Sequence, residues 1–543
     1  MLRIAAFNDE GHVLAKTLIR ELQAETRGQS SDYMMEKSDG RIDDHQSVHY
    51  LYVPSLTDEE GMTPDLVEAS RVFHHLALSG SGKTIVLSSA LVYGTSPGRQ
   101  ALVNEDYPLQ RSPGNSISAA WGALEKLAFQ CLSQKTQLTI LRPVTVVPSQ
   151  SLVSRILTRR FAFTLPGHDA SLQLLSPSDL ANAVRCVLSR DCPGIFNVAP
   201  DYVVPMHAAI RLTGGSRIPF PRTLQRLNKR SEALDYLRYP WTVSNQKIKR
   251  EIGFKSGKTS LSALLEARGH VVSKTVPEPH FDELGMDHDY IQSHGKAFFK
   301  FLSDIYWRVE DRGIEQVPLH GRGVLVGIHR GFMPWDGVMA LHLLVQKIGR
   351  YPRFLIHPGL LKFPFLANFM TKLGGVIACK ESAERILESE ELVGIFPEGI
   401  QGAFTRYKDS YKLQTFGRNA FIKLALLHRA PIIPFVTVGS AEIFPILAKI
   451  ESKWWNRYTE WPCIPLTPTF PILPFPLPSK WHTRFLPPLH VENNYPPEAA
   501  NDRSVVKAIS IEVRKRMQDA IDEMLGRRRS IFWGSIFETE GDA

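Results

Sequence analysis

The chain has 543 residues, more than a single hydrophobic core can organise, so two or three domains are expected. Hydrophobic residues make up 43% and charged residues 22%, which is the balance of a folded globular protein rather than a disordered one. The net charge of +9 suits an anionic partner. We find no zinc-finger spacing, RNA-binding signature or long Lys/Arg run, so we expect lipid or a phosphate-bearing substrate and no nucleic acid.

The first 265 residues alternate short apolar runs with amphipathic segments. The predicted strands are 4–7, 48–53, 84–88, 138–141 and 195–198, and the predicted helices are 13–22, 66–78 and 117–132. Such alternation indicates βαβ units and a mainly parallel sheet. We therefore predict an α/β protein: a Rossmann-like, doubly wound sheet over 1–265, a linker over 266–290, and a second α/β domain with a mostly parallel sheet over 291–535.

Four strings in the N-terminal part are similar to one known family. In order and spacing, they resemble the extended short-chain dehydrogenase/reductase superfamily, whose members include NAD-dependent epimerases and dehydratases. The strings are Val86-Leu-Ser-Ser-Ala-Leu-Val-Tyr-Gly94, Leu141-Arg-Pro143, Ser178-Asp-Leu180 and Gly194-Ile-Phe-Asn-Val198. The resemblance implies the Rossmann-like fold over 1–265.

The nucleotide-binding turn of that family is altered. The family needs glycines there because only glycine lets the backbone approach a pyrophosphate. Here the turn reads Phe7-Asn-Asp-Glu-Gly-His-Val-Leu-Ala15, with Asp9, His12 and Ala15 at the three glycine places and Gly11 alone between them. An acidic side chain there would repel a pyrophosphate, so we expect no NAD(P) binding.

The catalytic pair of that family is missing as well. Ile117 and Trp121 occupy the places of its tyrosine and lysine, while Ser89 matches its active-site serine and is expected to be a structural hydroxyl. We predict a degenerate domain that regulates, presents substrate, or binds a partner or lipid intermediate without catalysis. The alternative is an NAD(P)-dependent sugar-nucleotide epimerase/dehydratase or lipid oxidoreductase acting through this domain.

The C-terminal part contains a histidine and an aspartate seven residues apart. His329 follows an apolar run over 323–328, and Asp336 comes just after Pro334, which suits the first turn of a helix. An alcohol is a poor nucleophile at neutral pH, so acyl transfer to it needs a base such as histidine, oriented by a carboxylate. The alternative is a surface histidine that meets a helix-terminal aspartate by chance.

A second motif, Phe396-Pro-Glu-Gly399, ends another apolar run. With it, residues 321–447 resemble the lysophospholipid (glycerophosphate) acyltransferase superfamily, in its His-x6-Asp subgroup. Ala430-Pro-Ile-Ile-Pro434 matches a further block of that family. Tyr411-Lys-Leu-Gln-Thr-Phe-Gly-Arg418 matches a segment common in the subgroup. Leu373-Gly-Gly-Val-Ile-Ala-Cys-Lys380 lies where the second block belongs, with a lysine where arginine is usual.

The resemblance implies a role for each motif residue. His329 would be the general base and Asp336 its orienting partner. The acceptor site would be shaped by Phe396, Pro397, Glu398 and Gly399, and a phosphate would be contacted by Lys380, Arg406, Lys408 and Arg418. A solvated basic face is the alternative for Arg406, Lys408 and Arg418.

The implied reaction moves a fatty acyl group directly from acyl-CoA or acyl carrier protein to a lipid hydroxyl. It forms no covalent enzyme intermediate and requires no metal or redox cofactor. The expected acceptor is lysophosphatidic acid (1-acylglycerol-3-phosphate), in phospholipid biosynthesis. A neutral glyceride or another lipid alcohol is the alternative.

Two segments suggest contact with a membrane surface. Prolines recur at every third position from 462 to 474, which predicts a polyproline II edge, and Lys453-Trp-Trp-Asn-Arg-Tyr458 lies just upstream. Arg527-Arg-Arg529 stands near Ile531-Phe-Trp533, after a predicted amphipathic helix over 505–525. The alternatives are a proline-rich connection packed on the core and a frayed helix end.

Cysteine usage and hydropathy predict the compartment. The five cysteines are scattered without CxxC pairing, which favours a reducing environment. The N-terminus lacks a signal-peptide layout, and no apolar run reaches 18 residues. We therefore expect a cytoplasmic protein, peripherally and salt-sensitively bound to the inner face of the membrane.

Overall fold

The computed structural model describes residues 2–5, 13–24, 33–36, 49–58, 61–78, 82–96, 99–109, 116–219, 232–269, 281–414, 416, 419–470, 472 and 475–537. The chain divides into two compact units, Met1–Gly285 and Met286–Ala543, here called the N-terminal and C-terminal units. The division falls inside the segment 266–290 that the sequence predicts as a linker. The domain bounds 1–265 and 291–535 stay predictions.

The N-terminal unit alternates strands with helices. Its strands are β1 (Leu2–Ala5), β2 (Tyr33–Glu36), β3 (His49–Tyr52), β4 (Lys83–Leu87), β5 (Gln137–Pro143), β6 (Thr145–Val146), β7 (Phe161–Thr164), β8 (Ser171–Leu172), β9 (Leu174–Leu175), β10 (Gly194–Val198), β11 (Val204–Pro205) and β12 (Ser216–Pro219). Its α-helices are α1 (Val13–Ala24), α2 (Leu66–Leu78), α3 (Ser116–Leu132), α4 (Leu152–Leu157), α5 (Pro177–Leu188), α6 (Met206–Leu212), α7 (Asp235–Arg238), α8 (Gln246–Ile252) and α9 (Ser260–Ala267), and its 3₁₀ turns are Ala90–Tyr93 and Glu232–Leu234.

Six of these strands form one parallel sheet in the order β10-β5-β4-β3-β1-β2. The order reverses at β1, as in a doubly wound fold, and the predicted Rossmann-like class is confirmed. Strand β3 is buried along three of its four residues and β4 along four of its five, because helices cover both faces of such a sheet. All five predicted strands and three predicted helices are present, with ends shifted by up to two residues. Strand β2 is an addition that the apolar pattern missed.

The C-terminal unit contains a second, larger sheet. Its strands are β13 (Glu310–Arg312), β14 (Gly323–Val326), β15 (Arg353–Ile356), β16 (Val376–Ile377), β17 (Leu392–Ile395), β18 (Ile432–Val438), β19 (Ala448–Ile450), β20 (Ile464–Leu466) and β21 (His482–Phe485). Its α-helices are α10 (His288–His294), α11 (Trp335–Ile348), α12 (Pro364–Lys372), α13 (Lys380–Glu388), α14 (Gly399–Ala403), α15 (Ala420–Leu427), α16 (Lys453–Thr459), α17 (Val491–Asn494) and α18 (Arg503–Arg527). Its 3₁₀ helices are Ile314–Gln316, Pro358–Lys362, Tyr407–Asp409, Ser440–Glu442 and Pro497–Asn501, and its π-helices are Gly295–Phe299 and Phe301–Tyr306.

Seven strands of this unit pair in the order β13-β21-β18-β14-β17-β15-β16. Neighbours from β18 to β16 run parallel, whereas β21 is antiparallel to β18. Strands β14 and β18 are buried throughout, so they read as continuous apolar runs rather than as alternating ones. The predicted mostly parallel α/β sheet is confirmed, and the carboxyl ends of β18, β14 and β17 meet at one edge.

The long C-terminal helix matches its predicted pattern. In α18 the side chain of Asp502 caps the first turn by accepting from the Ser504 and Val505 N–H groups. Its buried residues, which recur at helical spacing and face the sheet, are Val506, Ile509, Val513, Met517, Ala520, Ile521 and Met524.

Two local predictions in this unit were incomplete. Residues Ile464–Leu466 form a strand paired antiparallel with Ala448–Ile450, so the proline-rich stretch is not one polyproline edge. In the basic cluster 527–529, Arg528 is buried against Glu442, with side chains 7% and 6% exposed. The Arg528 guanidinium therefore forms an internal ion pair, and of the three arginines Arg527 and Arg529 are exposed.

Candidate active site

The two polar motifs lie at the ends of neighbouring parallel strands. Strand β14 pairs with β17 in a register that sets Val326 opposite Ile395. His329 and Glu398 each come three residues beyond those partners. Parallel strands present their carboxyl ends at the same sheet edge, where α/β folds build their sites. The sheet therefore brings together motifs that are about seventy residues apart in the sequence.

The backbone of the first motif is shaped by close packing. A Cβ at Gly327 would lie 2.3 Å from the Phe435 ring, so no larger residue fits between the strand end and the core. Gly331 and Phe332 both have positive φ, 74° and 40°, a conformation that is unfavourable for a bulky residue such as Phe332. The Phe332 N–H donates to the Ala403 carbonyl at 2.9 Å, which ties this turn to the end of helix α14, the helix that begins at the second motif.

His329 and Asp336 form the hydrogen-bonded pair that the sequence spacing suggests. His329 Nδ1 lies 2.9 Å from Asp336 Oδ2, and the same oxygen accepts from the Arg330 N–H at 2.9 Å. Asp336 stands in the first turn of α11 with its side chain 0% exposed, whereas the His329 side chain is 13% exposed. The Asp336 carboxylate can only accept a hydrogen bond, so the donor is the protonated Nδ1 of His329. The other ring nitrogen, Nε2, then keeps the lone pair that a base needs.

A second, unpredicted ion pair adjoins the first, because Arg330 follows His329 in the chain. Arg330 donates to both oxygens of Glu398, from Nη1 at 2.7 Å and from Nη2 at 3.2 Å, and both side chains are at most 3% exposed. Glu398 Oε1 also accepts from the Gln414 N–H at 2.7 Å, and Arg330 Nε donates to the Ser410 carbonyl. Glu398 thus holds the two motifs and the segment 410–414 together. An arginine in one motif and a glutamate in the other, at adjacent strand ends, was the sequence signal for this pair.

The other predicted residues of the second motif surround this pair. The Phe396 ring centroid lies 5.3 Å from that of His329, and Pro397 is buried. Gly399 closes the turn with φ 58°, and its N–H donates to the Phe396 carbonyl at 2.9 Å. The acceptor-shaping role of these residues stays a prediction.

The predicted phosphate-contacting cations are spread out. Arg406 and Lys408 are exposed on the turn that leads to Ser410. Lys380 begins α13 after β16, three strand positions from β14, which corresponds to about 14 Å. It pairs with Glu384 at 3.3 Å and is 68% exposed. Arg418 lies outside the described residues.

An aromatic cluster adjoins the His329–Asp336 pair. The Phe332 ring lies 5.0 Å from Phe444, 5.0 Å from Phe470 and 5.8 Å from Trp461, measured between centroids. From Trp461 the contacts continue to Trp455 at 6.0 Å and from there to Trp454 at 6.4 Å. Trp454 is 70% exposed. A continuous line of aromatic rings thus joins the loop after His329 to the protein surface.

Both motifs lie in a region that is similar to known proteins. The acyltransferase family profile matches residues 308–438, which include both motifs. An uncharacterised protein of Mycobacterium leprae is 36% identical over 260 residues, covering 47% of this chain and 70% of that protein. The chain belongs to the acyltransferase family. An uncharacterised protein of Mycobacterium tuberculosis is 34% identical over 262 residues, covering 47% of this acyltransferase and 72% of that protein.

More distant similarities extend to named proteins. Phytyl ester synthase 2, chloroplastic, of Arabidopsis thaliana is 28% identical over 143 residues, covering 25% of this acyltransferase and 20% of that protein. The acyltransferase is also similar to the solved structure of MoeE5 in complex with UDP-glucuronic acid and NAD, with TM-score 0.38 and 16% identity over 48% of this chain and 96% of that one. A UDP-galactose 4-epimerase gives TM-score 0.36 and 15% identity over 49% and 98% of the two chains.

The dehydrogenase-type positions in the N-terminal unit of the acyltransferase hold structural side chains. Ile117 is 3% and Trp121 4% exposed, and the Trp121 indole donates to the Met62 carbonyl at 2.7 Å. Ser89 caps a 3₁₀ turn by accepting from the Leu91 N–H. Neither Ile117 nor Trp121 carries the ionisable group of a tyrosine or a lysine, and the absence of NAD(P) binding stays a prediction. Of the altered glycine turn, Ala15 is buried, whereas Asp9, Gly11 and His12 lie outside the described residues.

The motif residues of this unit form a buried polar network. Arg142 donates to both oxygens of Glu125, at 2.8 and 2.7 Å, and to the Tyr93 hydroxyl at 2.7 Å. Ser88 donates to Glu125 at 2.7 Å, and Tyr93 donates to Asn197 at 2.8 Å. Desolvation raises the pKa of Tyr93 to about 12. These side chains satisfy one another and brace β4, β5 and β10, which gives three of the four strings a structural role.

Two further features bear on cofactors and membranes. Among the described residues, we find no group of three His, Cys, Asp or Glu side chains placed to hold a metal ion. No helix in the described part of the chain combines the length and apolar character needed to cross a bilayer.

Proposed function

We propose that the C-terminal unit transfers a fatty acyl group from a thioester, carried by CoA or acyl carrier protein, to a lipid hydroxyl, with lysophosphatidic acid as the first acceptor to test. The observation that carries this proposal is the His329–Asp336 pair, 2.9 Å apart, at the end of β14 and next to an aromatic cluster. A poised base beside an apolar wall suits the deprotonation of an alcohol next to an acyl chain.

The proposed mechanism uses the residues as they stand. The acceptor hydroxyl gives its proton to His329 Nε2 as its oxygen attacks the thioester carbonyl carbon. Asp336, hydrogen-bonded to Nδ1, stabilises the imidazolium that forms. The carbon–sulfur bond then breaks, and the departing thiolate takes the proton from His329. The products are an ester and a free thiol, with the histidine neutral again.

The exposed aromatic and aliphatic residues support a peripheral membrane position. Trp454 is 70%, Phe475 62% and Leu447 64% exposed, and Trp454 ends the line of rings that begins at Phe332. Tryptophan favours the headgroup layer of a bilayer. We expect Trp454→Ser to reduce co-sedimentation with anionic phospholipid vesicles. Recovery of the wild type entirely in the supernatant at low salt would contradict this part of the proposal.

A lipid alcohol without phosphate is the second acceptor candidate. The similarity to phytyl ester synthase 2 favours it, since that name describes an ester of a long-chain alcohol. The position of Lys380, three strands from β14 and paired with Glu384, also weakens the argument for a phosphate contact at that residue.

For the N-terminal unit we propose a non-catalytic role, in which it binds a partner or a lipid intermediate for the acyltransferase. Ile117 and Trp121 packed in its core support this proposal. A pull-down with residues 1–265 as bait against lipids and cell extract tests it, and recovery of neither would contradict it.

The decisive experiment compares wild type with His329→Ala. Acyl-CoA and acyl carrier protein thioesters are offered with lysophosphatidic acid or phytol, and thiol release and ester formation are measured. Removing a general base should lower the rate by about 10²–10⁴-fold. His490→Ala is the matched control, because His490 forms another histidine–carboxylate pair, with Glu492 at 2.7 Å. It follows Leu489, which bridges Ile432 at the amino end of β18, whereas His329 lies beyond the carboxyl end of β14.

The outcomes separate the claims. Loss in His329→Ala with full activity in His490→Ala supports the assigned base. Equal rates for wild type and His329→Ala contradict it. Activity with phytol and none with lysophosphatidic acid moves the acceptor to the second candidate.

A further inference from the structure

A cavity of about 430 Å³ lies beside α18, outside the catalytic pair. Four cations line it: Lys423, Arg503, Lys507 and Arg514. Its described lining residues include no aspartate or glutamate. The volume falls within the range of small-molecule pockets, about 300–1,000 Å³.

The cations of this cavity are concentrated along one helix. Arg503, Lys507 and Arg514 share one stripe of α18; Arg503 and Lys507 stand four residues apart, where like charges repel, and Arg514 lies two turns further along. Lys423 adds a fourth positive charge from α15. A ligand with several negative charges would relieve this repulsion, whereas one with a single charge would relieve only part of it.

The remaining lining is mixed. Phe416, Val506 and Ala500, each at most 4% exposed, form an apolar floor. Asn419 and Asn501 add amide groups, and Asn419 accepts from the Ser510 hydroxyl at 2.9 Å. Cations, amides and an apolar floor together match a phosphorylated nucleotide, which presents phosphates, hydroxyls and a flat base.

The cavity is connected to the catalytic motifs through the segment 411–416. Gln518 of α18 accepts from the Leu413 N–H at 2.8 Å and donates to the Tyr411 carbonyl at 2.9 Å. The residue after Leu413 is Gln414, and its backbone N–H donates to Glu398 at 2.7 Å. Phe416 follows two residues later, so its backbone lies within roughly 7 Å of Gln414.

A series of close contacts leads from the segment beside the cavity towards the base. From Gln414, three successive contacts under 3 Å lead through Glu398 and Arg330 to the His329 carbonyl. The pantetheine arm of CoA has the reach of four extended residues, about 14 Å. An arm of this reach is what would carry a thioester from a nucleotide in the cavity towards the catalytic edge.

We propose that this cavity binds the phosphorylated nucleotide of a CoA thioester, which makes CoA rather than carrier protein the acyl donor. This inference rests on the proposed acyl transfer for its purpose, but the binding itself can be tested without turnover. The titrant is free CoA, added to the full chain and followed by calorimetry.

The test compares two double variants. Lys507→Gln/Arg514→Gln removes two cations from the cavity, and we expect CoA binding to weaken by about tenfold or more. Lys515→Gln/Arg516→Gln removes two cations from the same helix outside the cavity lining and should bind CoA as the wild type does. Dephospho-CoA, which lacks one phosphate, should bind the wild type more weakly than CoA. In turnover, the KM for acyl-CoA should rise in the cavity variant by the factor seen in calorimetry.

Several results would overturn the inference. One is an equal loss of CoA affinity in both double variants. Another is equal affinity of the wild type for CoA and dephospho-CoA. A third is displacement of CoA by glycerol 3-phosphate at equal concentration, which would assign the cavity to a single phosphate. Transfer from carrier protein alone, with no CoA binding, would overturn the donor assignment while leaving the proposed acyl transfer intact. His329→Ala separates the two claims, because it should lower turnover by about 10²–10⁴-fold and still bind CoA as the wild type does.

Discussion

Replacing Asp336 by asparagine separates the charge of the carboxylate from its geometry. Asp336 Oδ2 accepts from His329 Nδ1 and from the Arg330 N–H, each at 2.9 Å. The Arg330 N–H holds an amide oxygen at that place, so the asparagine keeps the histidine tautomer and loses only the negative charge. Asp336 Oδ1 is buried and without a hydrogen-bond partner in the described residues, and the new NH₂ group would take its position.

The expected loss follows from the electrostatics of the pair. Two unit charges about 4 Å apart attract by about 1 kcal/mol in water and by about 4 kcal/mol at an effective dielectric of about 20. Asp336 is 0% and His329 13% exposed, so the larger figure is the better guide. We expect kcat to fall by about 10²–10³-fold. The free energy of unfolding should change by less than about 1 kcal/mol, since one unpaired buried atom replaces another.

The assay is steady-state thiol release with acyl-CoA, alongside urea unfolding of the same preparations. Asp311→Asn is the matched control. Asp311 lies on β13, at the edge of the sheet; its side chain is 6% exposed and pairs with Lys347 at 2.6 Å. It should keep its kcat. An Asp336→Asn enzyme with a rate close to that of the wild type would show that no imidazolium forms in the rate-limiting step, and the base assignment would be wrong.

Three further predictions concern stability and nucleotide binding. Glu398→Gln leaves the Arg330 guanidinium buried without its counter-charge, so urea unfolding should show a loss of about 3–5 kcal/mol, against less than about 1 kcal/mol for Glu523→Gln in an exposed pair. Burial lowers the pKa of His482 to about 4; the unfolded chain therefore takes up this proton first, and stability falls as the pH drops from about 6.5 towards 4. Between pH 7 and pH 4.5, the free energy of unfolding of His482→Gln, measured in urea, should fall by about 2 kcal/mol less than that of the wild type. Equal decreases in the two proteins would contradict this. Because Trp121 fills a core position, we expect no saturable NADH or NADPH binding at micromolar concentration, and a saturable fluorescence titration would refute it.

Elements with strong local patterns were predictable from the sequence. Strands β4 and β5 and helix α2 were located because apolar residues at the period of a strand or helix report burial directly. Strand β2 (Tyr33–Glu36) was missed, since the sequence Tyr-Met-Met-Glu is short and shows no clear alternation. The proline-rich stretch was misread in part, because its pairing with Ala448–Ile450 depends on a partner strand rather than on its own period.

The sequence by itself determined the α/β class, the two-part organisation and the His329–Asp336 pair. That pair is predictable because only seven residues separate its members, and a strand end followed by a helix start limits where they can lie. Arg330 and Glu398 are 68 residues apart, and they meet because β14 and β17 are neighbours in the sheet. The basic cavity likewise needs α15 packed against α18. Contacts of this kind depend on which strands and helices become neighbours, and the packing of the whole core decides that.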